Sequence, residues 1–410
     1  MILQEDIQNT VSAQKKSLEN FDFGEPRAQA ENIKPGAAPK FAQLLAGVRR
    51  CGKSTLLQQI RRENGGGYYF NFEDPRIAGF GVEDFERLTA ALQSEYGKHD
   101  SYYFDEIQTV GKWEWYVRQL LDSGKRVVIT GSNASLWGMQ TGTKLTGRHL
   151  DSEVFPFSYS EAIKFKKQAQ GPESFSEYLE TGGFPECLKT SQQPEILQRL
   201  FDDIVARDII ARHGIRGGAT LREMGIMLLS NAGKEFSYNS LKKTLGIPAI
   251  QTVIDYVSHF QDAYLLFAVQ KFDYSFKRRL IAPKKIYAVD TGLATSLSAS
   301  FSKDKGRLLE NAIYLELRRR HGPKNVFYYR NDKECDFVVS EGGRATKAFQ
   351  VAYAIDSGNE KRETAGLAEA MEKLKLEKGT LITLAQEDRM SIREKEIEIV
   401  PAFKWATQKN

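Results

Sequence analysis

The sequence predicts an α/β chain: a three-layer domain with a parallel sheet, a small helical domain, and a second α/β domain on a mixed sheet. Three observations predict it. A short apolar run at 41–47 leads through a glycine-bearing loop into apolar residues at helical spacing, the strand, loop, helix order of a parallel unit. Two further apolar runs, 101–108 and 125–133, stop in polar residues, where the strands of such a sheet would end. Far downstream, a helix-period segment at 306–320 is followed by strand-like segments at 326–340 and 347–355. At roughly 150 residues per domain, 410 residues accommodate two or three cores. The boundaries are expected at 1–215, 216–290 and 291–410.

Composition excludes several classes. Basic residues number 58 and acidic residues 53, a net charge of +5 that is too mild for a basic arm or stripe. Cys51, Cys187 and Cys335 are odd in number and far apart, which argues against a disulfide framework or a CxxC metal site and for a reducing compartment. The opening residues, MILQEDIQNTVSAQKKSLENFDFG, hold no apolar core of signal length, and no later run approaches the roughly 18 apolar residues of a membrane span. A cytoplasmic protein without membrane association is expected.

The first elements carry the chemistry. The strand FAQLLAG, the loop GVRRCGKS and the helix STLLQQIRR match GxxxxGK[ST] in its required context. Gly47 and Gly52 allow the turn that converges backbone N–H groups on phosphate oxygens, and Arg50 and Cys51 complete the loop. Lys53 is expected at the β- and γ-phosphates of ATP or ADP, Ser54 on Mg2+, and Thr55 near the α-phosphate. GYYFNFEDPRI (67–77) reads as the second strand and SYYFDEIQ (101–108) as the third. Asp105 is the candidate metal-side carboxylate and Glu106 the base that polarises water. KRVVITGSN (125–133) brings Ser132 and Asn133 to the same edge, where an amide positions water or meets the γ-phosphate. Arg148, in TKLTGRHL, is the candidate arginine that neutralises transition-state charge, from its own or a neighbouring subunit. The competing structural readings are a chance glycine turn, a solvated acidic turn, a strand-end turn and a solvated arginine.

Taken with FPFSYSE (155–161), GGFPE (182–186), VARDII (205–210), YAVDTGL (287–293) and ECDFVV (334–339), these motifs resemble the prokaryotic AAA-type ATPases that carry a C-terminal domain of unknown function. The resemblance runs from about residue 20 to 400. It implies a AAA-like core with the phosphate-loop, acidic-pair and asparagine roles at the positions just named. It also implies a winged-helix segment and a nuclease-like C-terminal domain.

The later segments also read independently. The helix ATLREMGIMLLSNA, a short helix around Ser240–Leu245, the turn Gly246-Ile247-Pro248, the helix AIQTVIDYVSHFQDA and the strand YLLFAVQKF have the layout of a helix-turn-helix with a trailing wing. Lys242, Lys243, Lys271, Lys277, Arg278, Arg279, Lys284 and Lys285 are candidates to neutralise DNA phosphates, and Gln251 and Thr252 to touch bases; a packing module is the alternative. GRLLENAIYLELRRR reads as an amphipathic helix, VFYYRNDKECDFVVS as a hairpin and KAFQVAYAI as a strand, an order that resembles the restriction-endonuclease-like fold. Glu310 and Asp336 fit two of its metal-binding places, yet the E-x-K triplet reads Gln350-Val351-Ala352. Lys347 is close in sequence but an odd number of residues from Gln350, so it faces the other way. A degenerate nuclease domain follows.

The expected function is Mg2+-dependent ATP hydrolysis coupled to DNA. The alternatives are an ATPase switch that binds a protein partner and a metal-dependent nuclease. Homo-oligomers are compatible with Arg148 acting in trans. No NKxD run for guanine is present. GGFPE is expected to be a packing turn, and Asp290 a strand-end cap.

Overall fold

A computed structural model of the chain describes residues 2–33, 40–132, 145, 147–298 and 303–408. They form two compact units, Met1–Phe155 and Pro156–Asn410. The division at Phe155 places residues 156–215 with the second unit, whereas the first expected boundary lies at 215.

The first unit is built on β1 (Ala42–Ala46), β2 (Tyr68–Asn71), β3 (Ser101–Asp105), β4 (Arg126–Gly131) and β5 (His149–Glu153). All are parallel, in the order β2-β3-β4-β1-β5. Parallel neighbours need long crossovers, and the helices Lys53–Glu63, Phe85–Tyr96 and Trp113–Asp122 supply them. β1 and β3 are buried at every position, so both faces of the sheet are covered. On one face Leu44, Phe70, Phe104 and Ile129 pack with Val11, Leu88 and Val117. The second strand is shorter than the 67–77 reading: Pro75 has no N–H to give a ladder, and Asp74 accepts from the Arg76 N–H to start a 3-10 turn. β5 was not anticipated, because HLDSE is polar and half-exposed and shows no apolar alternation.

The second unit begins with the helices Tyr159–Lys166, Pro172–Thr181 and Gln193–Asp203. VARDII lies in a π-helix, Ile204–Ala211, a geometry that no residue pattern announced. The helices Gly218–Ser230, Tyr238–Thr244 and Ile250–Asp262 follow, accompanied by a small antiparallel sheet of β6 (Glu235–Phe236), β7 (Leu266–Gln270) and β8 (Lys284–Ala288), in the order β6-β8-β7. A short helix, Phe276–Ile281, sits between β7 and β8. Asp290 caps the helix Thr291–Leu297 through the Leu293 N–H at 2.8 Å and also accepts from the Gly183 N–H of GGFPE at 2.7 Å.

The rest of the unit is a mixed six-stranded sheet in the order β13-β14-β12-β11-β10-β9, built from β9 (Val326–Arg330), β10 (Glu334–Glu341), β11 (Arg344–Val351), β12 (Lys378–Thr383), β13 (Asp388–Ile392) and β14 (Lys395–Pro401). The helix Lys305–His321, read as amphipathic, is buried on every residue from Leu308 to Leu315, the polar Glu310 and Asn311 included. Asn311 clamps it to β8 by two hydrogen bonds with the Ala288 backbone, at 2.8 and 3.0 Å, and Tyr287 stacks on Tyr314 with ring centroids 4.3 Å apart.

Candidate nucleotide site

The loop 47–52 leaves the carboxyl end of β1 and enters the helix Lys53–Glu63 at Gly52, whose φ of +97° lies in the left-handed region that glycine tolerates. Gly47 is needed for another reason. A Cβ there would lie 2.0 Å from the Val154 carbonyl oxygen, so it is close backbone approach, not a left-handed turn, that demands glycine. Arg50 also has positive φ, +63°. Cys51 is fully buried with its Sγ 3.2 Å from the Val154 carbonyl, so its side chain packs toward the end of β5, and burial pushes its thiol pKa up.

Lys53 is 5% exposed; its Nζ donates to the Gly47 and Val48 carbonyls at 3.2 Å each and lies 3.6 Å from Glu106 Oε1. Burial works against its charge, but Glu106 and then other acidic neighbours outweigh it, and its pKa is raised. Asp105, at the end of β3, is 1% exposed; the Thr130 hydroxyl donates to its Oδ1 and the Tyr69 hydroxyl to Oδ2 at 3.3 Å. Burial and then Glu106 raise the Asp105 pKa against the opposing hydrogen bonds from Thr130 and Ser54. Glu106 sits in left-handed backbone at φ +52°, a cost that a non-glycine residue bears when its surroundings hold it there. Its N–H donates to the Thr130 hydroxyl at 3.0 Å, and its carboxylate accepts from the Gln108 amide. Burial pushes the Glu106 carboxyl up, but Lys53 and Gln108 outweigh it, and the net shift is down.

Lys53, Ser54, Asp105 and Glu106 are therefore brought together. Ser132 lies beside them, buried, with its backbone bonded to Glu106. Asn133 lies outside the described residues. Arg148 is a correction for the site of its own subunit. It immediately precedes β5, whose His149 is paired with Ala42, so it stands at the amino edge of the sheet. The loop leaves the opposite edge, a five-residue strand or about 16 Å away at 3.3 Å per residue. There Arg148 Nη1 donates to Asp122 Oδ1 at 2.5 Å.

Three residues went unnoticed in the sequence. Arg27, 4% exposed, donates to the Phe155 carbonyl at 2.6 Å and the Cys51 carbonyl at 3.4 Å, and Gln59 fastens the same segment through the Phe23 and Glu25 carbonyls at 2.7 and 2.9 Å. Neither carries a local signal, since each is a polar residue in a polar stretch. Thr130 could have been found: the apolar strand RVVITG contains one hydroxyl, at the edge where ligands bind.

In the second unit Glu310 and Asp336 do converge, but around Lys285, whose Nζ lies 2.9 Å from Glu310 Oε1, 2.6 Å from Glu334 Oε1 and 3.4 Å from Asp336 Oδ1. Lys285 is 2% exposed, which corrects its assignment as a DNA-phosphate contact. Lys347 instead lines a separate polar pocket with Lys378, Arg389, Glu396 and Glu398. Among the described residues no group of three or more His, Cys, Asp or Glu is arranged to hold a metal ion, and no helix is long and apolar enough to cross a membrane.

A phosphate-type loop at the carboxyl edge of a five-stranded parallel sheet, with an acidic pair ending the strand two places away, defines a P-loop α/β domain of AAA type. Residues 40–163 match the family model of an AAA domain, and 172–304 and 305–405 match two domains of unknown function. An uncharacterized protein of Methanocaldococcus jannaschii is 34% identical over 398 residues, covering 90% of this chain and 88% of that one. The chain belongs to its family, the AAA-type ATPases with C-terminal domains of unknown function. An uncharacterized protein of Haemophilus influenzae is 29% identical over 332 residues, covering 76% and 81%. Among solved structures, the replication initiator DnaA bound to AMPPCP and single-stranded DNA is similar at TM-score 0.31 and 16% identity, covering 60% of this chain and 91% of that one. The Aeropyrum pernix ORC1 protein in complex with DNA is similar at 0.28 and 14%, covering 68% and 89%.

Proposed function

We propose that the chain hydrolyses ATP with magnesium and couples hydrolysis to DNA. The observation that carries the catalytic half is the buried Lys53, Asp105 and Glu106 group at the mouth of the loop. Ser54 and Asp105 are the residues that would hold magnesium, since the serine hydroxyl already bonds the Asp105 carboxylate and both are oxygen ligands. Magnesium, when bound, offsets negative charge on the phosphates. The loop N–H groups and Lys53 bind the phosphates, and Lys53 gives up its contacts with the Gly47 and Val48 carbonyls to do so. Glu106, kept ionised by Lys53, accepts a hydrogen bond and then a proton at a carboxylate oxygen from the attacking water. Asn133 is proposed to orient that water, and Arg148 to act on a neighbouring subunit's site.

The DNA half rests on the segment between β7 and β8. Lys277 and Arg278 are exposed on it, Lys271, Arg279 and Lys284 are half-exposed, and Lys242 and Lys243 lie on the Tyr238–Thr244 helix. The helix order ahead of this strand pair supports a winged-helix reading. A second reading, a protein partner, is favoured by exposed apolar groups on the same segment: Tyr274 (64%), Phe276 (63%), Leu280 (51%) and Ile281 (76%).

Steady-state ATP hydrolysis by wild type, Lys53→Ala and Glu106→Gln, each with and without single-stranded, duplex and branched DNA at low salt, tests both halves. Loss of phosphate binding in the first variant, and a rate lower by about 10²- to 10⁴-fold with nucleotide still bound in the second, are expected. Hydrolysis indifferent to every DNA form moves the assignment to the protein partner. Wild-type inactivity in all conditions removes the hydrolase reading.

A further inference from the structure

Lys285 is the one lysine of the basic segment that turns inward. It follows Lys284, the first residue of β8, and the Asn311 clamp and the Tyr287–Tyr314 stack hold that strand on the helix that carries Glu310. Its ammonium is ringed by three carboxylates from two elements: Glu310 from the helix, and Glu334 and Asp336 from β10. Tyr287 adds a hydroxyl that donates to Glu310 Oε1 at 2.6 Å, and Asp336 Oδ2 accepts from the Val351 N–H at 2.9 Å.

The cluster is rich in oxygen. Lys285 pairs with both Glu310 and Asp336, and Glu334 also has Arg330 at 3.6 Å. Burial, and next the Glu310 charge, push Asp336 up to about 7, as expected where two buried carboxylates share one ammonium. Gln350, next to Val351, is buried; its amide donates to Glu363 Oε2 at 3.5 Å, and its side-chain oxygen has no hydrogen-bond partner among the described residues.

We propose that this cluster is a cation site whose resident cation is the chain's own Lys285 ammonium, so that the wild-type site excludes divalent metal and admits it once the ammonium is removed. The arrangement of Glu310, Glu334 and Asp336 about Nζ, rather than about an open metal position, is what the proposal explains. It also gives the acidic residues a role without strand cleavage. They fasten β8, and with it the segment from β7 onward, to the C-terminal sheet.

The test uses the full chain without nucleotide, in a Ser54→Ala background that removes a metal ligand from the loop. Mn2+ binding is read by electron paramagnetic resonance and thermal unfolding by circular dichroism. Wild-type Lys285 should show no Mn2+ bound at the cluster and no Mn2+-dependent change in Tm. Lys285→Met should have a lower Tm, should bind one equivalent of Mn2+, and should recover several degrees on binding. Both gains should vanish in Lys285→Met/Asp336→Asn. If Lys285→Met does not fold, Lys285→Met/Glu310→Gln removes one negative charge, keeps Glu334 and Asp336, and is read the same way. Mn2+ held by the chain with Lys285 intact and released by Asp336→Asn overturns the proposal. So does a folded lysine variant that neither binds Mn2+ nor gains stability from it.

Discussion

Thr130 is the residue through which two strands set the acidic pair. Its hydroxyl donates to Asp105 and accepts from the Glu106 N–H, so one side chain orients the proposed metal carboxylate and holds the left-handed backbone of the proposed base. Replacing it by isosteric valine leaves the packing and removes both bonds. Thr130→Val is expected to raise the Mg2+ concentration for half-maximal ATP hydrolysis by about 10- to 100-fold, the usual effect of losing a group that orients a metal ligand. An unchanged Mg2+ dependence would exclude this positioning role. Asp290 gives a second residue-level expectation. Burial raises its pKa from 3.8 to about 6, so between those values the folded chain holds a proton that the unfolded chain has lost. The resulting stability is fully present below 3.8 and is lost as pH rises through about 6. Urea unfolding at pH 4 and pH 7 should therefore show wild type losing up to about 3 kcal/mol relative to Asp290→Asn. Parallel curves for the two proteins would show that Asp290 is not the titrating group.

At the scale of elements, the strands that bear the site were legible, β2 was legible apart from its end, and β5 was not. β1, β3 and β4 are apolar because helices cover both faces, and they end in the polar residues that were read as functional. β5 pairs in parallel along its whole length with β1 while burying none of its five residues fully, so its evidence is a ladder partner rather than a pattern. The helix Lys305–His321 shows the reverse problem: it reads as amphipathic, yet Arg320 packs over the Trp405 ring and Arg319 reaches the Pro156 carbonyl. Arginine stems and guanidinium planes bury well when a ring or carbonyl receives them. The short helix Phe276–Ile281 is where the DNA reading is decided. Reversing two charges, Lys277→Glu/Arg278→Glu, should weaken duplex binding and lower the slope of log K against log salt by about 2, since each phosphate contact contributes about 0.9. Binding with an unaltered slope would place the contact surface elsewhere.

For the whole molecule, nucleotide is expected to act first on the unit that binds it. The segment Phe23–Arg27 is bonded to Gln59 and the loop, so closure of the loop on phosphate should order that segment as well. With a non-hydrolysable ATP analogue at a hundredfold excess over Kd, the first unit should gain about 2.7 kcal/mol. Hydrogen exchange should slow at residues 23–27, 47–55 and 105–106, while β9 to β14 stay unchanged. Slowing confined to the C-terminal sheet would contradict the location of the site.

Contiguous chemistry was determined by the sequence alone. GVRRCGKS carries its glycines, lysine and serine within eight positions, and the acidic pair is adjacent, so a local pattern suffices to find the loop and its strand partners. Tertiary structure alone decided which distant polar groups share one place. Lys285 stands 25 positions from Glu310 and 51 from Asp336, and Arg27 stands 128 from Phe155. Apolar periodicity records which face of an element is buried, because burial is repeated along the chain. A buried ion pair is a single through-space event, stabilised only after desolvation is offset by a partner that folding delivers, and it leaves no repeat to read.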